Sequence, residues 1–203
     1  MKETTLRIRF LGDPVLRKKS TPVKHITPDH RDILSKMAQL MYESDGIGLA
    51  APQVGINEAM IVADVGNSSL YKLINPKIVK KEGSQVTEEG CLSLPGVCIK
   101  VKRARKVIVR AQDELAQTLT LEAEGLLACV FQHEIEHLKG KLIVDYASFF
   151  QRLKIKKKLE ELKNASTLLS ISTRSILSEQ SESKERSNEE LPESKTKSCK
   201  LQL

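Results

Sequence analysis

The chain has 203 residues, room for one ordinary domain, and its 40% apolar and 29% charged residues suit a globular protein. No apolar run approaches the ~18 residues that a membrane-spanning helix needs, so neither a membrane span nor a membrane partner is expected. The net charge is +7, of which residues 151–164 alone carry +4.

The start, Met1 to Thr5, shows no apolar secretory signal, and the four cysteines (Cys91, Cys98, Cys129 and Cys199) are too few for a disulfide scaffold. A reducing, cytoplasmic setting is therefore expected, in which cysteines are buried, metal-bound or catalytic. The first clear helix begins after Thr27, an N-cap type with Pro28 at N1, and Ile33, Met37, Leu40 and Met41 recur at helical spacing as far as about Glu43. Short β-type runs come next: Met60 to Val65, Tyr71 to Ile74, Lys77 to Val79, Val97 to Val101, Lys106 to Ala111 and Thr118 to Glu122. Their period-two alternation predicts half-buried antiparallel strands. A second helix spans about Leu126 to Lys139 and stops at Gly140. Helix, strands, helix in that order predicts an α+β domain over residues 1–150.

Residues 151–166 read as a basic amphipathic helix with Leu153, Ile155, Leu159 and Leu162 along it, of a kind that attracts polyanions such as RNA. Residues 167–203 turn serine-rich, mix both charges and hold no aromatic residue, so a disordered tail is expected there, with local helicity around Leu168 to Leu177 left open.

The second helix contains Gln132-His133-Glu134-Ile135-Glu136-His137, a His-Glu-x-x-His motif. Residues i and i+4 share a helix face, so both imidazoles can reach one metal ion while Glu134 can reach water beside it. Leu127, Phe131, Ile135 and Leu138 form an apolar stripe, and Leu126, Cys129 and Val130 extend apolar character toward the histidines, so the helix reads as buried on two sides. A third ligand is needed. A His-x-x-Gly-x-x-His continuation fails because Ile143 takes the last position, and Glu160 or Glu161 would sit in a lysine-rich helix. Cys91, in Glu88-Glu89-Gly90-Cys91-Leu92-Ser93-Leu94-Pro95-Gly96, remains a candidate, although a cysteine in such a turn is ordinarily buried and inert. A glycine-rich stretch, Gly46-Ile47-Gly48-Leu49-Ala50-Ala51-Pro52-Gln53, matches a dinucleotide-binding pattern formally, but a helix precedes it and Pro52 breaks the helix that the pattern requires on its far side.

Gly-Ile-Gly-Leu-Ala-Ala-Pro-Gln, Glu-Gly-Cys-Leu-Ser and Gln-His-Glu-x-x-His, taken together over residues 6–150, resemble the three signature motifs of the peptide deformylase family, in its type 1 version. The resemblance implies antiparallel sheets packed around a central helix that carries His-Glu-x-x-His. It implies hydrolysis of the N-formyl group of formyl-methionyl nascent peptides, with Cys91, His133 and His137 as metal ligands and Glu134 as general base and acid. Gln53 and the backbone N–H of Leu92 would bind the developing oxyanion. Ile47, Leu126, Cys129 and Val130, with the edge of His133, would form the methionine pocket, and the main chain of Gly48 and Gly90 would align the peptide. Thiolate and imidazole donors alone suit zinc, whereas the resemblance points to ferrous iron, with nickel or cobalt as substitutes. The family's usual aspartate before the second histidine is here Glu136, expected to contact Arg103. A C-terminal helix that contacts ribosomal RNA in some members corresponds to residues 151–166; DNA is not expected as a partner. The readings that compete with a deformylase are a His-Glu-x-x-His peptidase and a non-catalytic basic module on the ribosome.

Overall fold

The computed structural model describes residues 5–66 and 69–179. The elements run α1 (Pro28–Glu43), β1 (Gly48–Ala50), β2 (Met60–Ala63), β3 (Tyr71–Glu82), β4 (Gln85–Glu89), β5 (Ile99–Arg103), β6 (Lys106–Gln112), β7 (Thr118–Glu124), α2 (Gly125–His137) and α3 (Phe149–Glu179). An antiparallel five-stranded sheet has the order β1-β2-β3-β6-β7, and β4 and β5 form a separate two-stranded sheet. This is the expected α+β arrangement. None of the described helices is long and apolar enough to cross a membrane.

Helix α1 starts where Pro28 presets the first turn and His30 plays the acidic residue's part in a capping box: the Thr27 N–H donates to His30 Nδ1 at 3.0 Å. Its buried stripe is Leu34, Met37, Ala38 and Met41, with Ile33 and Leu40 only partly covered, so the core-facing row lies slightly around the helix from the expected one. Strand β3 merges two runs that read separately in the sequence. Between them Asn75 adopts φ +54° and Pro76 comes next, and the pairing with β6 shifts register between Ile74 and Lys77. A bulge tolerates the missing N–H of proline. The Asn75 side chain holds it open by accepting from the Val23 N–H and donating to the Val23 carbonyl, each at 2.9 Å.

Helix α2 is buried almost all round, from Ala128 through Ile135 and again at His137. Ala128, Val130, Phe131 and Ile135 pack against the large sheet, with Phe131 edge-on to Tyr71 at 5.3 Å between ring centres. Past its end, Gly140 at φ +71° lets the chain graze Arg17, where an added Cβ would lie 2.5 Å from the carbonyl oxygen.

Helix α3 rests on the β5 side of the molecule through Ile155, Leu159 and Leu162, spaced as one face. Leu153 does not belong to that face: it is 63% exposed beside exposed Phe149 and Phe150. The helix continues beyond residue 166 to Glu179, over a stretch that contains neither glycine nor proline to stop it. The rest of the segment read as a disordered tail, residues 180–203, lies outside the described residues.

Asp145 ties this corner together by accepting from Arg17 Nη1 at 2.6 Å and from the Leu142 N–H at 2.9 Å. Partial burial raises its carboxyl, but these donors outweigh burial and hold it below its ordinary value of 3.8. A carboxylate lowered on folding adds stability above its unfolded pKa, and that stability is lost as pH falls through the folded value. The urea midpoint of the wild type is expected to fall more steeply below about pH 4 than that of Asp145→Asn; equal slopes would show that the pair contributes nothing.

Candidate metal centre

Three separately packed clusters meet around the end of α2: the sheet core, the α1 core that includes Leu92, and the α3 core that includes Cys91. The loop after β4 carries Cys91 to this junction. There the Leu94 N–H donates to the Cys91 carbonyl at 2.8 Å and Gly96 turns the chain at φ +75°. Helix α2 brings His133 and His137 on one face. Cys91 Sγ lies 3.4 Å from His137 Nε2, and the two Nε2 atoms are 3.2 Å apart. All three donor atoms fall within 4.8 Å of one another, and all three residues are buried.

These separations test whether a metal fits. Tetrahedral bonds of about 2.0–2.1 Å to nitrogen and about 2.3 Å to sulfur place two ligand nitrogens about 3.3–3.4 Å apart and a sulfur about 3.5 Å from a nitrogen. The two short contacts match. Burial and the Glu134 carboxylate push the Cys91 thiol far above its ordinary value, so a thiolate there needs a cation. Burial and the neighbouring His133 push His137 well down, which keeps it neutral with a lone pair to give. Burial also raises Glu134, whose two oxygens have no hydrogen-bond partner. A buried carboxylate without partners is costly unless a substrate, water or ion uses it. The residues present therefore fit a bound divalent metal ion.

The surroundings orient these groups. Glu89, fully buried at the end of β4, lies 3.0 Å from His133 Nδ1 and accepts from Arg103 Nε at 2.7 Å and Nη2 at 2.8 Å. Burial would raise its carboxyl, but the donors from Arg103 and His133 prevail and bring it down to about 2. An ionised Glu89 fixes the proton on His133 Nδ1 and turns the Nε2 lone pair toward the donor cluster. Arg103 Nη1 reaches Glu136 at 2.5 Å, which is the contact expected from the sequence, and the guanidinium sits 5.2 Å from the centre of the Tyr146 ring. Burial, with the Glu136 carboxylate nearby, raises the Tyr146 phenol.

Gln53 is fully buried. Its Oε1 accepts from the Ala50 N–H at 2.8 Å, so Nε2 points at Cys91 Sγ, 3.6 Å away, and at Ser93 Oγ, 3.3 Å away. Gly48 lies against Glu134: a Cβ there would come within 2.5 Å of Oε1. Ile47 is half-buried, Cys129 and Val130 are buried, and Leu126 is 40% exposed on the first turn of α2. Cys129 Sγ accepts from Gln85 Nε2 at 3.2 Å. Gly90 is buried beside Cys91. Glu160 and Glu161 stay outside the centre, on α3 next to Lys156 and Lys158.

Sequence reasoning missed Glu89, Ser93 and Tyr146. Strand parity carried the signal for the first, because alternation in β4 turns Glu89 inward while Glu88 stays exposed, and a metal-facing histidine calls for a carboxylate on its other nitrogen.

A buried sulfur and two imidazoles held on an α+β frame are the donor set of a protein that could hold a metal ion. Residues 5–153 match the family model described as Polypeptide deformylase. A peptide deformylase of Halothermothrix orenii is 48% identical over 141 residues, covering 69% of this chain and 92% of that protein. One from Thermotoga maritima is 43% identical, covering 77% and 95%. Among solved structures, a peptide deformylase from Legionella pneumophila superposes with a TM-score of 0.75 at 37% identity, covering 81% of this chain and 98% of that one. Another, from Synechococcus elongatus in complex with actinonin, gives 0.72 at 42% identity, covering 80% and 88%. The chain belongs to the polypeptide deformylase family: it is a metal-dependent hydrolase that removes the N-formyl group from nascent polypeptides.

Arg103→Ala leaves Glu89 buried without its charge partner. The expected outcome is a loss of about 3–5 kcal/mol in urea unfolding and about 10–100-fold weaker metal retention against a chelator. Wild-type retention in this variant would show that the Arg103–Glu89 pair does not orient His133.

Proposed function

We propose that Cys91, His133 and His137 hold one divalent ion, ferrous iron in the native enzyme, and that Glu134 serves as general base and then general acid in deformylation. The observation that carries this reading is the close approach of the three donor atoms beside a buried carboxylate with no partner of its own. A divalent ion in that place lowers the pKa of water and polarises the formyl carbonyl.

Glu134 takes a proton from the attacking water and delivers it to the departing amine nitrogen. The Gln53 Nε2–H and the Leu92 backbone N–H donate to the oxygen that gains charge as the formyl carbon becomes tetrahedral. The bond from Ala50 to Gln53 Oε1 supports this by keeping the amide nitrogen turned toward Cys91.

The main chain of Gly48, on edge strand β1, and of Gly90 aligns the peptide, and the missing side chain at Gly48 leaves room beside Glu134. Ile47, Leu126, Cys129, Val130 and the ring edge of His133 receive the methionine side chain. Glu136 and Arg103 brace Glu89, and through it His133.

Formate release from a formyl-Met-Ala peptide tests these roles under anaerobic conditions. Glu134→Gln is expected to keep one ion per chain and lose about 10²–10⁴-fold or more in turnover, whereas Cys91→Ser loses both ion and turnover. Near-normal turnover in Glu134→Gln would remove it from the mechanism, and a peptidase of the same motif would tolerate Cys91→Ser. Protein reconstituted with iron is expected to outpace protein with zinc; the reverse order would overturn the assignment of iron.

The enzyme works in the cytoplasm beside the ribosome, with α3 docking on ribosomal RNA. Arg152, Lys154, Lys156, Lys157, Lys158 and Lys163 crowd this helix, and exposed Phe149, Phe150 and Leu153 flank its start. Reversing charge at the exposed Lys154, Lys156 and Lys157, each to Glu, is expected to weaken ribosome co-sedimentation and its salt dependence while sparing short-peptide turnover, because the buried face of α3 stays intact. Unchanged, salt-insensitive association in that variant would rule out docking by α3.

A further inference from the structure

A cavity of about 520 Å³ opens on the far side of α2 from the metal centre, with Ile135 and Leu138 in its wall. Ile135 lies about 180° around the helix from the shared face of His133 and His137. Four cationic residues line the cavity: Lys19 before α1, Lys77 on β3, Arg110 on β6 and Lys139 just after α2. No aspartate or glutamate lines it, and among the described residues none of the four cations has an ion-pair partner.

Two of these cations face each other. Lys77 and Arg110 are direct partners across the β3–β6 ladder, at the point where the Asn75–Pro76 bulge shifts the register. Like charges placed opposite one another in a sheet cost stability. The arrangement makes physical sense if an anion joins them. A second, independent observation points the same way: Ser20 is only 7% exposed, lines the cavity, and its Oγ has no hydrogen-bond partner. A buried hydroxyl without a partner is a donor waiting for an acceptor.

Apart from Asn75, Gln112 and Thr118, the rest of the wall is aliphatic, with Ala59, Val79 and Ala111 beside Leu138, and no aromatic ring lines it. A flat nucleobase would find no ring to stack on, whereas an alkyl chain would be covered on several sides. The volume falls within the range of ordinary small-molecule sites.

From the cations, the orphan hydroxyl and the aliphatic wall we infer a second binding site, for a small amphiphilic anion: an alkyl chain carrying a phosphate or carboxylate head. The head sits between Lys77 and Arg110 within reach of Lys19 and Lys139, and the chain lies along Leu138 and Ala59. The site is separate from the deformylase centre and shares only the helix between them.

Calorimetric titration of the full, metal-loaded chain tests this with octanoate, monooctyl phosphate, octyl glucoside and inorganic phosphate, all below their micellar concentrations. One saturable site is expected for octanoate or monooctyl phosphate, and whichever binds tighter identifies the head group. Octyl glucoside and inorganic phosphate are expected to bind at least about ten-fold more weakly. Arg110→Glu should weaken the anionic amphiphile about ten-fold or more while deformylase turnover and the melting temperature stay at or above wild type. Cys91→Ser should leave binding unchanged, which separates this cavity from the metal centre. Absence of saturable binding, equal binding of octyl glucoside, undiminished binding by Arg110→Glu, or loss of binding in Cys91→Ser would each overturn the site.

Discussion

A single buried carboxylate holds the centre together. Glu89 stands between the guanidinium of Arg103 and the ring of His133; without it the ring would lose its defined tautomer and the guanidinium would keep Glu136 alone as a charge partner. Removing a charge from water costs several kcal/mol, and that cost is recovered only where geometry is good and the remaining donors are satisfied. Here both Glu89 oxygens accept from Arg103, one of them also faces His133, and the guanidinium spends its remaining reach on Glu136 and the Tyr146 face. A network this fully satisfied has one low-energy arrangement. That arrangement places His133 Nε2 where His137 and Cys91 already converge.

The extra methylene of Glu136 is absorbed by the same network. The longer side chain meets Arg103 Nη1 at 2.5 Å. Glu136 thus meets Arg103 on its outer side, while the inner contacts of the guanidinium go to Glu89. Rigidity on the metal side of α2 contrasts with the reverse side. There an orphan hydroxyl and two facing cations are left without protein partners. One helix thus separates the satisfied Glu89 network from the cavity that these cations line.

The position of the centre at the meeting of three apolar clusters has its own consequence. Cys91 belongs to the cluster under α3, Leu92 to the one under α1, and the histidines to a helix enclosed by the large sheet. Adjacent residues of one loop are thereby anchored in different parts of the core. The donor sulfur and the backbone N–H next to it are held by packing from both sides. Such anchoring suits a reaction whose groups must stay within fractions of an ångström of their working positions.

Much of this was legible in the chain itself. Helical spacing alone places His133 and His137 on one face, because 3.6 residues per turn is a property of the backbone. Capping at Thr27 and Pro28, the stop near Gly140 and the alternation in β5 to β7 are equally local. Three motifs in order also sufficed to suggest the family and, through it, the third donor. What local chemistry could not decide was every contact between distant segments. Residue 91 reaches residue 137 only because the β4–β5 pair packs against α2. Asn75 and Pro76 join two short runs into one strand only because Val23 and Gln112 are there to bond the asparagine. Leu153 is left outside because the face of α3 that meets the core is chosen by the surface beneath it. Sequence determines the periodicity and the chemical inventory, since both are written in neighbouring residues. Tertiary structure decides which groups pair, since burial and close approach depend on all the segments at once.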